Sequence, residues 1–325
     1  MDSSSLPAEP RQALALRPII SKMNTPPETG ASVLPDSLCY LNGEYGPLCD
    51  AKVSVLDRGF IFGDGVYEVL PAYGGKIFRF EQHMARLERS LGELRITNPL
   101  SSDAWLAIAR RLIQAQMAST GAANQLVYIQ VTRGVAVRDH VMPPGLRPTA
   151  FVMVGDMKLA TPEQRELGVS CVSADDFRWQ KAHIKSTSLL GAVLARQISA
   201  DADAVETVMF RDGFLSEAAA SNVWVVKNGV VMGPPKDHLV LEGIRFDLLE
   251  EICREQGIPF ELRRIGRTEV LDADELMLSS ATKEVLPITT LDGQPVGHGA
   301  QRGRPGPVYE RLYAGYQRAK AAQSI

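Results

Sequence analysis

The stretch "WQKAHIKSTSLLGAVLARQ" (179–197) sets two lysines, Lys181 and Lys185, ahead of an apolar, helix-like run. A lysine amine serves as nucleophile or proton carrier when burial or a neighbouring cation disfavours its charged form. Lys185, between Ile184 and Ser186, is the better candidate, because Lys181 lies nearer the polar edge. From this segment alone, solvated faces account for both. In "FLSEAAASNVW" (214–224), Glu217 stands at a strand end before three alanines, side chains small enough to admit a bulky group. A plain strand-end glutamate before a tight loop reads equally well. "EGIRFD" (242–247) opens a helix at Gly243 and Ile244, and the free N–H groups and dipole of a first turn suit a phosphate. Hydroxyls of Ser279, Ser280 and Thr282 could meet the same anion. In "TRGVAVRDH" (132–140), Arg138 and His140 could grip a carboxylate, although a charged loop normally means surface. "FGDGVYEV" (62–69) turns on two glycines and presents Tyr67, which as a core tyrosine would need only a satisfied hydroxyl. Arg86 falls off the Met84/Leu87/Leu91 stripe of a 3.6-residue helix, so periodicity sends it to solvent.

Elements must position these groups. An Asn-Gly turn in "CYLNGEYGPL" joins two short strands, and residues 51–80 read as strands broken by glycine turns. Phe80, Met84, Leu87, Leu91 and Leu94 recur at helical spacing, and a second helix covers about Asp103–Met117 with Asp103 as its cap. "QLVYIQVTRG" (125–134) alternates, with Val127, Ile129 and Val131 on one face and Tyr128, Gln130 and Thr132 on the other. Residues 147–158 form another strand, and a strand over 168–174 precedes the Lys185 segment. "TVMFRDGFLSE" and "NVWVVKNGVVMG" are hairpins, and a helix runs from about Gly243 to Gln256. "ELMLSS" is the last strand. The expected fold is mixed α/β (α+β) in two domains, a smaller one over 37–155 and a larger one over 163–325, joined by 156–162. The elements do not alternate as βαβ units, which argues against a Rossmann fold. Residues 1–36, rich in Ser, Pro and Ala, read as a disordered tail.

A net charge of −3 without a long basic run excludes nucleic acid and membrane surfaces as expected partners. The densest basic cluster, "ELRRIGR" (261–267), alternates with apolar residues like a solvated strand face. No apolar stretch is long enough to span a bilayer, and Arg17 and Pro18 interrupt "ALALRPII", a poor signal segment. Four scattered cysteines without CxxC pairs argue against zinc or a disulfide framework and fit a reducing, cytoplasmic setting. No metal is expected.

Seven blocks taken in order carry further than any one alone. "LDRGFIFGDGVYEV", "HMARL", "YIQVTRGVAVRDH", "HIKSTSLLGAVLARQ", "LSEAAASNVW", "LEGIRFD" and "LMLSSATKEVLPI" resemble the class IV (fold type IV) pyridoxal-phosphate aminotransferases from about Cys39 onward. The resemblance implies pyridoxal 5'-phosphate as cofactor, bonded to Lys185, whose freed amine would move a proton between substrate Cα and cofactor C4′. It implies Glu217 at the pyridine nitrogen, where the ring acts as an electron sink. Arg86, the N–H groups of Ile244 and Arg245, the Ser280 hydroxyl and Ala281 would line the phosphate. Arg245 stands where relatives often carry Thr, and Ala281 where some carry a hydroxyl residue. Tyr67, Tyr128, Arg138 and His140 resemble the substrate site of D-amino-acid aminotransferases, with Arg138 and His140 as the carboxylate trap. The implied reaction passes an amino group between a D-amino acid and a 2-oxo acid in two half-reactions. Lyase action on aminodeoxychorismate, (R)-amine or branched-chain transamination, and a non-catalytic binding role stand as alternatives. A homodimer is also implied.

Overall fold

The computed structural model describes residues 36–325; the expected tail, Asp36 excepted, lies outside the described residues. Its first sheet is wholly antiparallel, in the order β2-β1-β6-β5-β3-β4. The strands are β1 (Leu38–Leu41), β2 (Glu44–Pro47), β3 (Gly65–Tyr73), β4 (Lys76–Ile77), β5 (Asn124–Thr132) and β6 (Thr149–Asp156). Helices α1 (Arg58–Phe62), α2 (Phe80–Glu93) and α3 (Ser102–Thr120) belong to the same part of the chain. Period-two alternation decides what each face does. Val66 and Leu70 of β3, with Val127 and Ile129 of β5, pack under Leu87 and Leu91 of α2 and Trp105 and Leu112 of α3. Tyr67 and Val69 consequently point the other way, into a cavity.

After α4 (Pro162–Leu167), a nine-stranded mixed sheet runs β12-β11-β10-β13-β14-β7-β8-β9, with β15 on β14. Its strands are β7 (Val169–Asp175), β8 (Glu206–Arg211), β9 (Phe214–Ala218), β10 (Asn222–Lys227), β11 (Val230–Gly233), β12 (Phe260–Leu262), β13 (Glu275–Ser280), β14 (Glu284–Leu291) and β15 (Gln294–Pro295). Helices α5 (Leu190–Asp201), α6 (Ile244–Glu255), α7 (Arg267–Leu271) and α8 (Pro307–Ala322) pack around it. Trp224, Phe246 and Tyr316 are fully buried in the core shared by this sheet, α6 and α8. The β8–β9 and β10–β11 hairpins turn on Asp212-Gly213 and Asn228-Gly229, every φ positive, as a type I′ turn requires.

Three expectations need correction. Arg58–Phe62 is helical, not extended, because the Asp57 side chain accepts the Gly59 N–H at 2.8 Å and Gly63 closes the turn in the left-handed region. Ser101, rather than Asp103, caps α3 by accepting the Ala104 N–H. "ELMLSS" (β13) is followed by β14 and β15, and Pro287 sits within β14, where proline is unusual.

Candidate active site

Lys185 lies in the irregular segment between β7 and α5. The short strand β4 pairs only with Ala72 and Tyr73, leaving the start of β3 free on that edge. Residues 185–187 fill it: Tyr67 N–H donates to the Lys185 carbonyl at 3.0 Å, and Thr187 N–H to that of Gly65 at 2.9 Å. A loop hung from the second sheet is thereby stitched to the first. The Lys185 ammonium rests 4.0 Å from the centre of the Tyr67 ring, half-buried and without a carboxylate partner among the described residues. Lys181 is exposed, as its polar setting suggests.

The cavity beside Lys185 measures about 1350 Å³, and Glu217, at the end of β9, is part of its wall. The Glu217 carboxylate is 4% exposed. It accepts from Arg178 Nη1 at 2.7 Å, Asn222 Nδ2 at 3.2 Å and Leu241 N–H at 3.2 Å. Arg178 is itself gripped by Asp176 through Nε and Nη2, both at 2.9 Å, and Asp176 also takes Arg211 Nη2 at 3.0 Å. Burial pushes the Glu217 carboxyl up to about 7, against the downward pull of Arg178. Ala218, Ala219 and Ala220 leave the cavity wall beside it low.

Arg86, which periodicity places in solvent, is 5% exposed and lines the same cavity. A hydrophobic stripe cannot register a polar pair that crosses a helix–sheet interface. Glu68, on the helix-facing side of β3, accepts Arg86 Nε at 2.7 Å and Nη2 at 2.8 Å and bonds His83 Nδ1 at 2.7 Å. Burial raises the Glu68 carboxyl, but Arg86 and His83 overcome this and hold it well below the carboxylate range. Burial lowers His83 to about 4, which keeps it neutral. Arg86 Nη1 also donates to the Glu242 carbonyl at 3.2 Å, just ahead of α6, which begins at Ile244 and Arg245 with no side-chain cap on its first N–H groups. A Cβ on Gly243 would collide with Asn222 Oδ1, so a larger residue here would have to displace the Asn222 amide. Ser280, Ala281 and Thr282 complete this end. Ser280 Oγ accepts the Lys283 N–H at 3.1 Å, while the Ser279 hydroxyl is engaged by Trp224 Nε1 at 2.9 Å.

Tyr67 faces the cavity, and Tyr128 stacks against it at 5.7 Å with its hydroxyl donating to Gln130 at 2.7 Å. Arg138 and His140 are not brought into the cavity of their own chain. Both are exposed and lie against Phe62, 5.4 and 5.5 Å from its ring centre. Arg58 anchors their loop by donating to the Asp139 carbonyl, while its Nε holds Asp64 at 2.8 Å.

Residues 65–291 match the profile of the amino-transferase class IV family. The chain belongs to the class IV aminotransferases. It is 36% identical to the D-alanine aminotransferase of Bacillus licheniformis over 276 residues, 85% of this chain and 94% of that one. With the D-alanine aminotransferase of Staphylococcus aureus (strain COL) it shares 35% identity over 88% of this chain and 99% of that one. The branched-chain amino acid aminotransferase of Escherichia coli has the same fold, with a TM-score of 0.74, 23% identity, and coverage of 86% of this chain and 92% of that one. The T.th. branched-chain amino acid aminotransferase, solved with pyridoxamine 5'-phosphate, superposes with a TM-score of 0.78 at 23% identity, covering 89% of this chain and 95% of that one.

Class IV aminotransferases depend on pyridoxal 5'-phosphate, and this class IV cavity fits that cofactor. It combines an amine without an acid partner among the described residues, a buried carboxylate suited to a ring nitrogen, and at another wall two arginines beside a helix start without a side-chain cap. Sequence reasoning overlooked Arg178, Asn222 and the Glu68–His83 pair. Arg178 lies in an irregular segment and Asn222 at the first position of β10, where a strand pattern does not mark a polar contact; Glu68 and His83 could have been found only by matching β3 to α2 across the interface. Among the described residues no cluster of His, Cys, Asp and Glu could hold a metal, and no helix is long and apolar enough to cross a membrane.

Proposed function

We propose that this protein is a D-amino-acid aminotransferase that moves the amino group of a D-amino acid, such as D-alanine, to a 2-oxo acid, such as 2-oxoglutarate. The observation that carries the chemistry is the meeting in one cavity of buried Glu217 and Lys185, which has no carboxylate partner among the described residues. The D-alanine aminotransferases that share about a third of the sequence support the substrate class. Bound pyridoxal 5'-phosphate supplies an electron sink for the carbanion at substrate Cα. Lys185 Nζ would hold the cofactor covalently, and its amine would serve as the base that moves the proton at substrate Cα. Glu217 keeps the pyridine nitrogen protonated, with Arg178, Asn222 and the Leu241 N–H fixing its carboxylate in place. Arg86, the N–H groups of Ile244 and Arg245 and the Ser280 hydroxyl hold the phosphate, with Ala281 beside it. Tyr67 and Tyr128 wall the substrate, and Arg138 with His140 binds its α-carboxylate. The donor leaves as a 2-oxo acid before the acceptor enters, which makes the kinetics ping-pong.

The enzyme acts as a cytoplasmic homodimer. Its two parts, 37–155 and 163–325, serve as smaller and larger domains joined at 156–162. Separate additions of D-alanine, L-leucine and (R)-1-phenylethylamine, followed by absorption of the bound cofactor, test the reading. D-Alanine alone is expected to convert the aldehyde form, and conversion by either of the others instead would overturn the substrate class. Borohydride should fix the cofactor to Lys185, and a Lys185→Ala variant that still retains label contradicts the assignment.

A further inference from the structure

The cavity's anion end carries more positive charge than its acidic residues balance. Arg245, in the first turn of α6, is 3% exposed. Its one hydrogen bond among the described residues runs from Nε to Tyr316 Oη at 3.3 Å, and its buried Nη2 has no partner. The Phe78 ring lies 5.7 Å from its Cζ. Neither nearby carboxylate is free to neutralise it. Glu68 already accepts both Arg86 Nε and Nη2, and Glu284 is occupied by Arg165 at 2.8 Å and Lys320 at 2.8 Å. Burial disfavours the charged form of Arg245, yet the net direction of its pKa is up, and a guanidinium is not deprotonated in proteins, so the group remains a cation. A buried guanidinium without a counter-charge is strongly unfavourable unless an anion joins it. Arg245 and Arg86 line the same cavity, at the end where α6 presents its first N–H groups, and neutral His83, its Nε2 unpartnered, feels both guanidinium charges.

We infer that Arg245 binds the cofactor phosphate through its guanidinium as well as its backbone, making it a second phosphate-binding arginine steadied by Tyr316. The inference rests on the pyridoxal-phosphate reading of the cavity. Where relatives often carry threonine, this chain would thus exchange a hydroxyl for a forked cation. The buried charge is a burden to the empty protein that phosphate relieves.

The test compares wild type, Arg245→Thr and Arg245→Lys, all as full-length apoprotein. Thermal midpoints are recorded in chloride and in inorganic phosphate at matched ionic strength, and pyridoxal 5'-phosphate affinity is measured by fluorescence titration. Arg245→Thr should melt no lower than wild type in chloride, lose most of the phosphate-induced rise, and bind the cofactor about tenfold more weakly. Arg245→Lys, which keeps the charge and loses the fork, should fall between. A lower midpoint in chloride with an undiminished phosphate rise makes Arg245 a core residue and overturns the inference, as does failure of both variants to fold. If wild type takes the cofactor on Lys185 and Arg245→Thr takes it equally well, this inference fails alone. If wild type neither responds to phosphate nor takes the cofactor, the reading beneath it fails as well.

Discussion

Glu217 combines near-complete burial with a carboxyl raised to about 7 from its ordinary 4.5, and that fixes how the apoprotein responds to pH. The native state keeps a proton that the unfolded chain releases, so stability is highest at the acid end and falls as pH rises from about 4.5 to 7. The loss amounts to roughly 3 kcal/mol. Glutamine cannot ionise and escapes it. Denaturant unfolding of the apoproteins at pH 5 and pH 8 should therefore show Glu217→Gln gaining on wild type by about this amount, and parallel pH profiles would contradict the burial argument. At this scale the sequence yields unevenly. Lys185 and Glu217 stand out once the ordered blocks are taken together, since each has an unusual neighbour: an apolar run for one, three alanines for the other. Arg86 is legible only through block order, because its partner Glu68 lies on another element. Arg178 leaves no trace, since it works from an irregular segment through Asp176 and Glu217.

Elements set the tolerance of the site. The turn into α6 passes so close to Asn222 that a Cβ on Gly243 would strike its Oδ1, while Asn222 Nδ2 bonds both Glu217 and the Leu241 carbonyl. Gly243 has an ordinary φ of −69°, so alanine there meets a steric obstacle and no backbone strain. Overpacking of this kind costs about 1–3 kcal/mol. Gly243→Ala should retain its helical circular dichroism yet bind pyridoxal 5'-phosphate roughly tenfold more weakly, because the displaced Asn222 loosens Glu217 and shifts the α6 start. Unchanged affinity in a titration of the apoprotein would show that the loop absorbs the extra carbon. The same packing explains which elements the sequence reveals. β5 and the two hairpins are legible because alternation and Asp-Gly or Asn-Gly turns agree. The five residues of α1 are too few for a helical period to emerge, and Pro287 disguises β14.

At the scale of the whole molecule, the proposed carboxylate-binding pair lies outside the cavity lining of its own chain. Arg138 and His140 are exposed and pack on the cavity-lining Phe62 without lining the cavity themselves, on a loop that also exposes Val137 and Val141. Val55 and Phe60 are exposed in the first half of the chain, and Leu190 and Val193 on α5, the last two bordering the cavity with Phe60. Apolar groups clustered around a cavity mouth favour a protein partner over water. In a homodimer with two-fold symmetry, the Arg138 loop of one subunit can serve the cavity of the other. Mixed variants test that arrangement. Arg138→Ala should lower kcat/KM for D-alanine by about a hundredfold, as expected for losing a paired, charge-assisted contact, and Lys185→Ala should abolish turnover. If each site draws Lys185 from one subunit and Arg138 from the other, dissociating and reassociating an equal mixture places both intact residues at one site of every heterodimer. Random pairing then restores activity at about a quarter of all sites. If Arg138 serves its own subunit, the mixture remains as slow as the average of its two parents, because no exchange of subunits can bring an intact Arg138 to an intact Lys185.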